Sequence, residues 1–271
     1  YGPLAWLALV PFFFALTQVR PLGGLLLGVV YGYAFLGSLA SFMLIYGHVE
    51  WAATVGFEAL FLGLFAMAAA ACNRVVHPAL RALGVAAAWT LAEMLRGGIG
   101  NLGFTVGDLG YTQHDQVPLL QTAAMVGHYG LGFFIAGINA LLTQAILGVI
   151  PGIFARPLMH PRRFAQSSAR AALAGYVVVI MLYLWGAIVM RADEHTSGPT
   201  IEAAVVQAAL GDSEGATRGD ADQALETYLA LSETIPEAVD LIVWPEVAVP
   251  DSLNQRPDML ARLGEHAHRQ S

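Results

Sequence analysis

The run Asp240-Leu241-Ile242-Val243-Trp244-Pro245-Glu246 places an acid where it can do chemistry. Leu241, Ile242 and Val243 form the short apolar stretch expected of a strand covered on both faces. Trp244 and Pro245 end it, because proline has no N–H to give a central ladder, and Glu246 is left at the exit. A carboxylate there can serve as general base for whatever occupies the neighbouring cleft. Such a base works with a nucleophile and a cationic orienting group, yet residues 200–271 contain neither Cys nor Lys. Ser213, Ser232 and Ser252 lie nearby, but none sits in a Gly-x-Ser-x-Gly elbow. Spacing alone also describes a solvated acid at a strand end.

A second pair of candidates is Glu93 and Arg96, three residues apart near the end of an apolar segment. Ionisable groups in such a place are costly unless partnered. They read either as an ion pair anchoring a helix end or as a headgroup or substrate contact. Glycines and aromatics, Phe104 and Tyr111 among them, fill the long connection over 96–127, which suggests a folded, re-entrant or interfacial loop. The eight histidines are scattered, and no His-Glu-x-x-His or Cys/His cluster marks a metal site. Gly97-Gly98-x-Gly100 lacks the preceding strand that a phosphate loop requires. Cys72 is the single cysteine and closes an Ala-rich run, the setting of a packed, inert thiol.

These residues must be positioned by elements made largely of membrane-like sequence. Of the 271 residues 56% are hydrophobic and only 12% charged, with a mean hydropathy of +0.59. A soluble domain carries about 25% charged residues, so lipid is the expected solvent for much of this chain. Six apolar segments, at about 3–18, 24–46, 51–72, 79–95, 128–150 and 172–190, approach or reach the ~17–25 residues a span needs. Glu58 is the one acid well inside a segment.

Charge then orients the segments. Every basic residue is Arg. If the segments alternate, Arg20, Arg74, Arg81, Arg156, Arg162, Arg163 and Arg170 fall on one side, which the positive-inside rule makes cytoplasmic. The tail after the sixth segment is then outside. It is acidic, with 4 Arg against 13 Asp and Glu over residues 200–271, so nucleic acid is not an expected partner. Within it the pattern predicts a strand at 201–208, a polar turn at 211–219, a helix at 221–235 begun by Asp220 or Asp222, the 240–245 strand and a helix at 257–269. Strand, helix, strand, helix suggests an α/β layer, with a crossover connection if the strands are parallel. The expected division is a transmembrane domain over 1–195 and a smaller unit over 196–271. The chain starts Tyr1-Gly2-Pro3 without an initiator Met and stops at Ser271, and reads as part of a longer protein.

In chain order the motifs Glu93-x-x-Arg96-Gly97, Gly103-Phe104, Gly110-Tyr111, Gly127-x-Tyr129-Gly130, Val205-Val206-Gln207 and Trp244-Pro245-Glu246 accompany the apolar segments. The whole ordered set resembles the bacterial apolipoprotein N-acyltransferases. The resemblance implies a multi-span α-helical membrane domain followed by the start of a nitrilase-like α-β-β-α sandwich. It implies transfer of an acyl chain from a phospholipid donor to the N-terminal amine of a diacylglyceryl apolipoprotein acceptor, through a thioester on the enzyme and with no cofactor. It implies that Glu246 is the catalytic base, with Glu93, Arg96, Phe104 and Tyr111 as substrate contacts. The family's Lys and Cys would lie past Ser271, leaving residues 1–271 inactive by themselves. The family often has Gly-Phe-Pro-Trp where this chain has Gly103-Phe104-Thr105-Val106. The location implied is the bacterial inner membrane, with the C-terminal part periplasmic. Two other readings are a transporter-like polytopic protein with a small outer domain and a membrane-tethered amidase of nitrilase fold.

Overall fold

A computed structural model describes residues 2–75, 77–100, 103–149, 161–192, 198–208, 218–235 and 239–270. The chain divides into two units, Tyr1–Asp193 and Glu194–Ser271.

The first unit is helical: α1 (Ala5–Ala8), α2 (Val10–Thr17), α3 (Pro21–Leu39), α4 (His48–Cys72), α5 (Pro78–Gly98), α6 (Val117–Leu120), α7 (Ala123–Val149) and α8 (Pro161–Arg191). Pro21 and Pro78 open α3 and α5, where a missing N–H costs nothing. Among the described residues four stretches are long and apolar enough to cross a membrane: Pro21–Leu39, His48–Cys72, Ala123–Val149 and Arg163–Arg191. Six were expected, and the two exceptions have physical causes. The N-terminal one breaks at Leu9, so α1 and α2 are each short. The other, α5, has 21 residues, but Arg81, Glu93 and Arg96 lower its hydropathy, and all three are buried in the bundle.

The break at Leu9 is repaired from across the unit. The fully buried Asn139 accepts the Leu9 N–H at 3.0 Å on its Oδ1 and donates its Nδ2 to the Ala5 carbonyl at 2.9 Å. Orphaned backbone groups are intolerable in hydrocarbon, so a buried amide at this position has a clear purpose. Helices α3 and α4 approach through small residues instead. A Cβ on Gly28 would stand 2.5 Å from both the Ala66 Cβ and the Leu62 carbonyl, so only glycine allows this separation. Trp89 packs edge to face on both Phe13 and Phe65, with the Phe65 and Trp89 centroids 4.8 Å apart, and Phe13 meets Phe65 at a tilt. Cys72 is a free, half-buried thiol.

In the second unit β1 (Ala203–Val205) and β2 (Leu241–Val243) lie parallel, with α9 (Arg218–Ser232) between them in sequence and α10 (Pro257–Gln270) after them. The register pairs Ala203 with Leu241, Ala204 with Ile242 and Val205 with Val243. Both strands are shorter than the sequence suggests, and α9 begins at Arg218, ahead of the expected caps at Asp220 and Asp222. Most of the 211–219 turn lies outside the described residues. Ala221, Leu225, Leu229, Val249 and Met259 form the core of this unit. Arg256 ties the unit together by bonding Asp222 on α9, Asp251 in the preceding loop and Asp258 on α10.

The two faces of the strands are buried unequally among these residues. Ala204 and Ile242 are half-buried, but Val205, Leu241 and Val243 on the other face are 78%, 47% and 41% exposed. Among the described residues the apolar run is therefore covered on one face only.

Candidate active site

Glu246 stands where the sequence put it, just past the end of β2. The strand end is held from several directions. The Val206 N–H donates to the Val243 carbonyl at 2.9 Å. Trp244 then swings its indole toward α9, donating Nε1–H to Ser232 Oγ at 3.0 Å and lying over Tyr228 with ring centroids 5.0 Å apart. The Ser232 hydroxyl donates in turn to the Tyr228 carbonyl. Pro245 to Ala248 form a tight turn, closed by the Ala248 N–H on the Pro245 carbonyl at 3.2 Å. Glu246 and Val247 occupy its centre, both exposed. Among the described residues no side chain pairs with the Glu246 carboxylate, so an orienting cation and a nucleophile would have to come from elsewhere. A cavity of about 490 Å³ lies between β2, α9 and α10, lined by Ser232, Asp240, Trp244 and His266 among others, but Glu246 is not on its wall.

A second group of ionisable residues meets inside the helical unit. Arg96 donates Nη2 to Asp108 Oδ1 at 2.7 Å and to the Val106 carbonyl at 2.9 Å. Its Nε lies 3.6 Å from Glu58 Oε2. His128 Nε2 reaches within 3.3 Å of Asp108 Oδ2. Glu93 bonds to different partners, accepting from the Trp89 indole and the Leu109 backbone N–H, each at 2.7 Å. Glu58, Glu93, Arg96 and Asp108 are all 3% exposed or less. The i, i+3 pairing of Glu93 with Arg96 suggested by their spacing is thus not the bonding pattern. Instead each binds the 103–113 loop: Arg96 through Val106 and Asp108, Glu93 through Leu109.

The loop is built to come this close. Gly107 takes a φ of +88°, opening the turn that delivers Asp108. A Cβ on Gly110 would run into the His128 carbonyl. Phe104, half-buried, packs against the helical core. Tyr111 is 44% exposed and stacks on His128 with centroids 4.9 Å apart. Of the four candidate substrate contacts, Tyr111 alone is largely open; Glu93 and Arg96 are enclosed. Sequence reading gave no role to Asp108 or His128. The mid-segment Glu58 was the one available signal, since a buried acid demands a cation, but it does not say which one.

Residues 1–141 match the family model described as the apolipoprotein N-acyltransferase N-terminal domain. The chain is similar to the apolipoprotein N-acyltransferase of Geobacter metallireducens, 26% identical over 97% of this chain and 50% of that protein. It is similar to that of Azotobacter vinelandii, 29% identical over 98% of this chain and 50% of the relative. Against the Caulobacter vibrioides protein the identity is 31% over 72% of this chain and 33% of the relative. The chain spans about half the length of the curated relatives that it matches end to end.

Proposed function

The chain belongs to the apolipoprotein N-acyltransferase family, and on that premise we propose that the protein containing it N-acylates bacterial lipoproteins. The acyl chain comes from a phospholipid, and the acceptor is the free α-amine of a diacylglyceryl-cysteine. Glu246 is the general base. It takes the proton from a Cys thiol outside residues 1–271, and the thiolate attacks the phospholipid ester. The tetrahedral intermediate collapses to a thioester, and the leaving lysophospholipid alkoxide recovers the proton. In the second half the acceptor amine attacks the thioester, loses its proton to Glu246 and expels the thiolate as the amide forms. A Lys, likewise outside this chain, stabilises the oxyanion.

The observation that carries the reading is a carboxylate at the exit of a parallel strand, in a unit that follows membrane-spanning helices. The exposed apolar face of β1 and β2 supports a nitrilase-like sandwich, because a second sheet layer would cover it. The arginine distribution supports the bacterial inner membrane with the second unit periplasmic. Tyr111 and Phe104 are the proposed substrate contacts; Glu93 and Arg96 serve the substrate through the loop they hold.

The test is mass spectrometry of a reporter lipoprotein's N-terminal peptide, in cells depleted of their own N-acyltransferase and supplied with the full-length protein. The expected product carries a third acyl chain on the cysteine nitrogen. A reporter left diacylated, with the protein present in the membrane, contradicts the proposal.

A further inference from the structure

Val247 has a φ of +56° and is the one non-glycine residue among the described residues with a positive φ. A β-branched side chain is poorly tolerated in this conformation. Gly or Asn is what the third position of such a turn ordinarily takes. Packing does not explain the valine, whose side chain is 64% exposed. Backbone strain of this kind persists only where the surroundings over-determine it.

The surroundings do so here. Upstream, the β1–β2 ladder pins Val243, and the Trp244 indole is bonded to the fully buried Ser232 on α9. Downstream, Val249 is 8% exposed and belongs to the core of the unit. Between these anchors the chain has Trp244 to Ala248 in which to turn, and Glu246 is at the apex beside the strained residue. The Glu246 carboxylate has no side-chain partner among the described residues to aim it. Among these residues only the backbone sets its direction.

We infer that Trp244, Ser232 and Val247 are positioning residues that hold the Glu246 carboxylate in its working direction, the indole–hydroxyl bond fixing the strand exit and the left-handed turn fixing the apex. This inference rests on the reading of Glu246 as the base. A base must lie within hydrogen-bond reach of the proton that it removes, and misplacement by about 1 Å can cost on the order of 10²-fold in rate.

The experiment uses the full-length protein in phospholipid vesicles with a diacylglyceryl-cysteine peptide acceptor, and reads kcat, KM and Tm for four variants. Trp244→Phe keeps the ring over Tyr228 and removes only the N–H; kcat is expected to fall by about 10- to 100-fold with KM unchanged. Val247→Gly relieves the strain and frees the turn, so Tm rises while kcat falls. Val247→Asn relieves the strain but keeps the left-handed preference, so Tm rises and kcat stays near the parent value. Parent-like kcat in both Trp244→Phe and Val247→Gly overturns the inference, as does a change confined to KM or a lower Tm in Val247→Gly. Glu246→Gln, run alongside, separates the two ideas. If it is inactive while the positioning variants are normal, the base stands and the positioning falls. If it is fully active, the base itself is wrong.

Discussion

Glu246→Gln in the full-length protein is expected to lower acyl transfer by about 10²- to 10⁴-fold, the usual contribution of a positioned general base. Glutamine keeps the shape of the side chain and its hydrogen-bonding ability but cannot take up a proton. The loss should appear in the first half-reaction, as failure to accumulate the thioester, because an undeprotonated thiol is a poor nucleophile. Stability should be unaffected. The side chain is exposed, and no ion pair or hydrogen bond among the described residues is broken by the change. Acyl-enzyme accumulation, followed by hydroxylamine-sensitive labelling with a phospholipid donor, is the appropriate measurement. Thioester formation at the parental rate would remove Glu246 from the chemistry.

Arg96→Leu is expected to act in the opposite way, through the fold. Truncating one partner of a buried ion pair typically costs about 3–5 kcal/mol, because the remaining charge stays buried without compensation. Here the loss is compounded. Asp108 and Glu58 both face Arg96, and the guanidinium also holds the Val106 carbonyl. The 103–113 loop should loosen on α5, leaving the Glu93 bond to Leu109 and the backbone bond from the Phe104 N–H to the Arg96 carbonyl as its polar tethers to that helix. Thermal unfolding in detergent and proteolysis within the loop read the effect directly. Pairing the change with Asp108→Asn should recover part of the lost stability, since the two residues act on one contact. Additive losses in the double variant would show that the two residues act independently.

The parts of this molecule that were legible in the sequence are those governed by local pattern. Hydropathy found α3, α4, α7 and α8, because a lipid-facing helix must be apolar over most of its length. Trp244-Pro245 marked the end of β2 because proline cannot extend a central ladder. Long-range pairing was not legible. Arg96 could be matched by spacing to Glu93 one turn away, but its bonds run to Asp108 in the next loop and its Nε faces Glu58 on a different helix. Nothing local announces such a choice, which depends on which helices become neighbours. The one-sided burial of β1 and β2 escaped for a related reason. An apolar run records what a strand can tolerate on both faces, whereas Val205, Leu241 and Val243 record what packs against them among these residues. Val247 escaped because its conformation contradicts its type. A residue that prefers extended backbone gives no warning that neighbours have forced it into a left-handed turn.

The most direct test of the central claim is where the second unit resides. A cysteine placed at the exposed Asn254 is compared with one placed at the exposed His77, between α4 and α5, in the full-length protein with other reactive thiols replaced. A membrane-impermeant maleimide is added to intact spheroplasts. The account predicts labelling at 254 without permeabilisation, and at 77 only after the membrane is opened. Protection of 254 until permeabilisation would put the Glu246 unit in the cytoplasm, on the wrong side of the bilayer for the chemistry assigned to it.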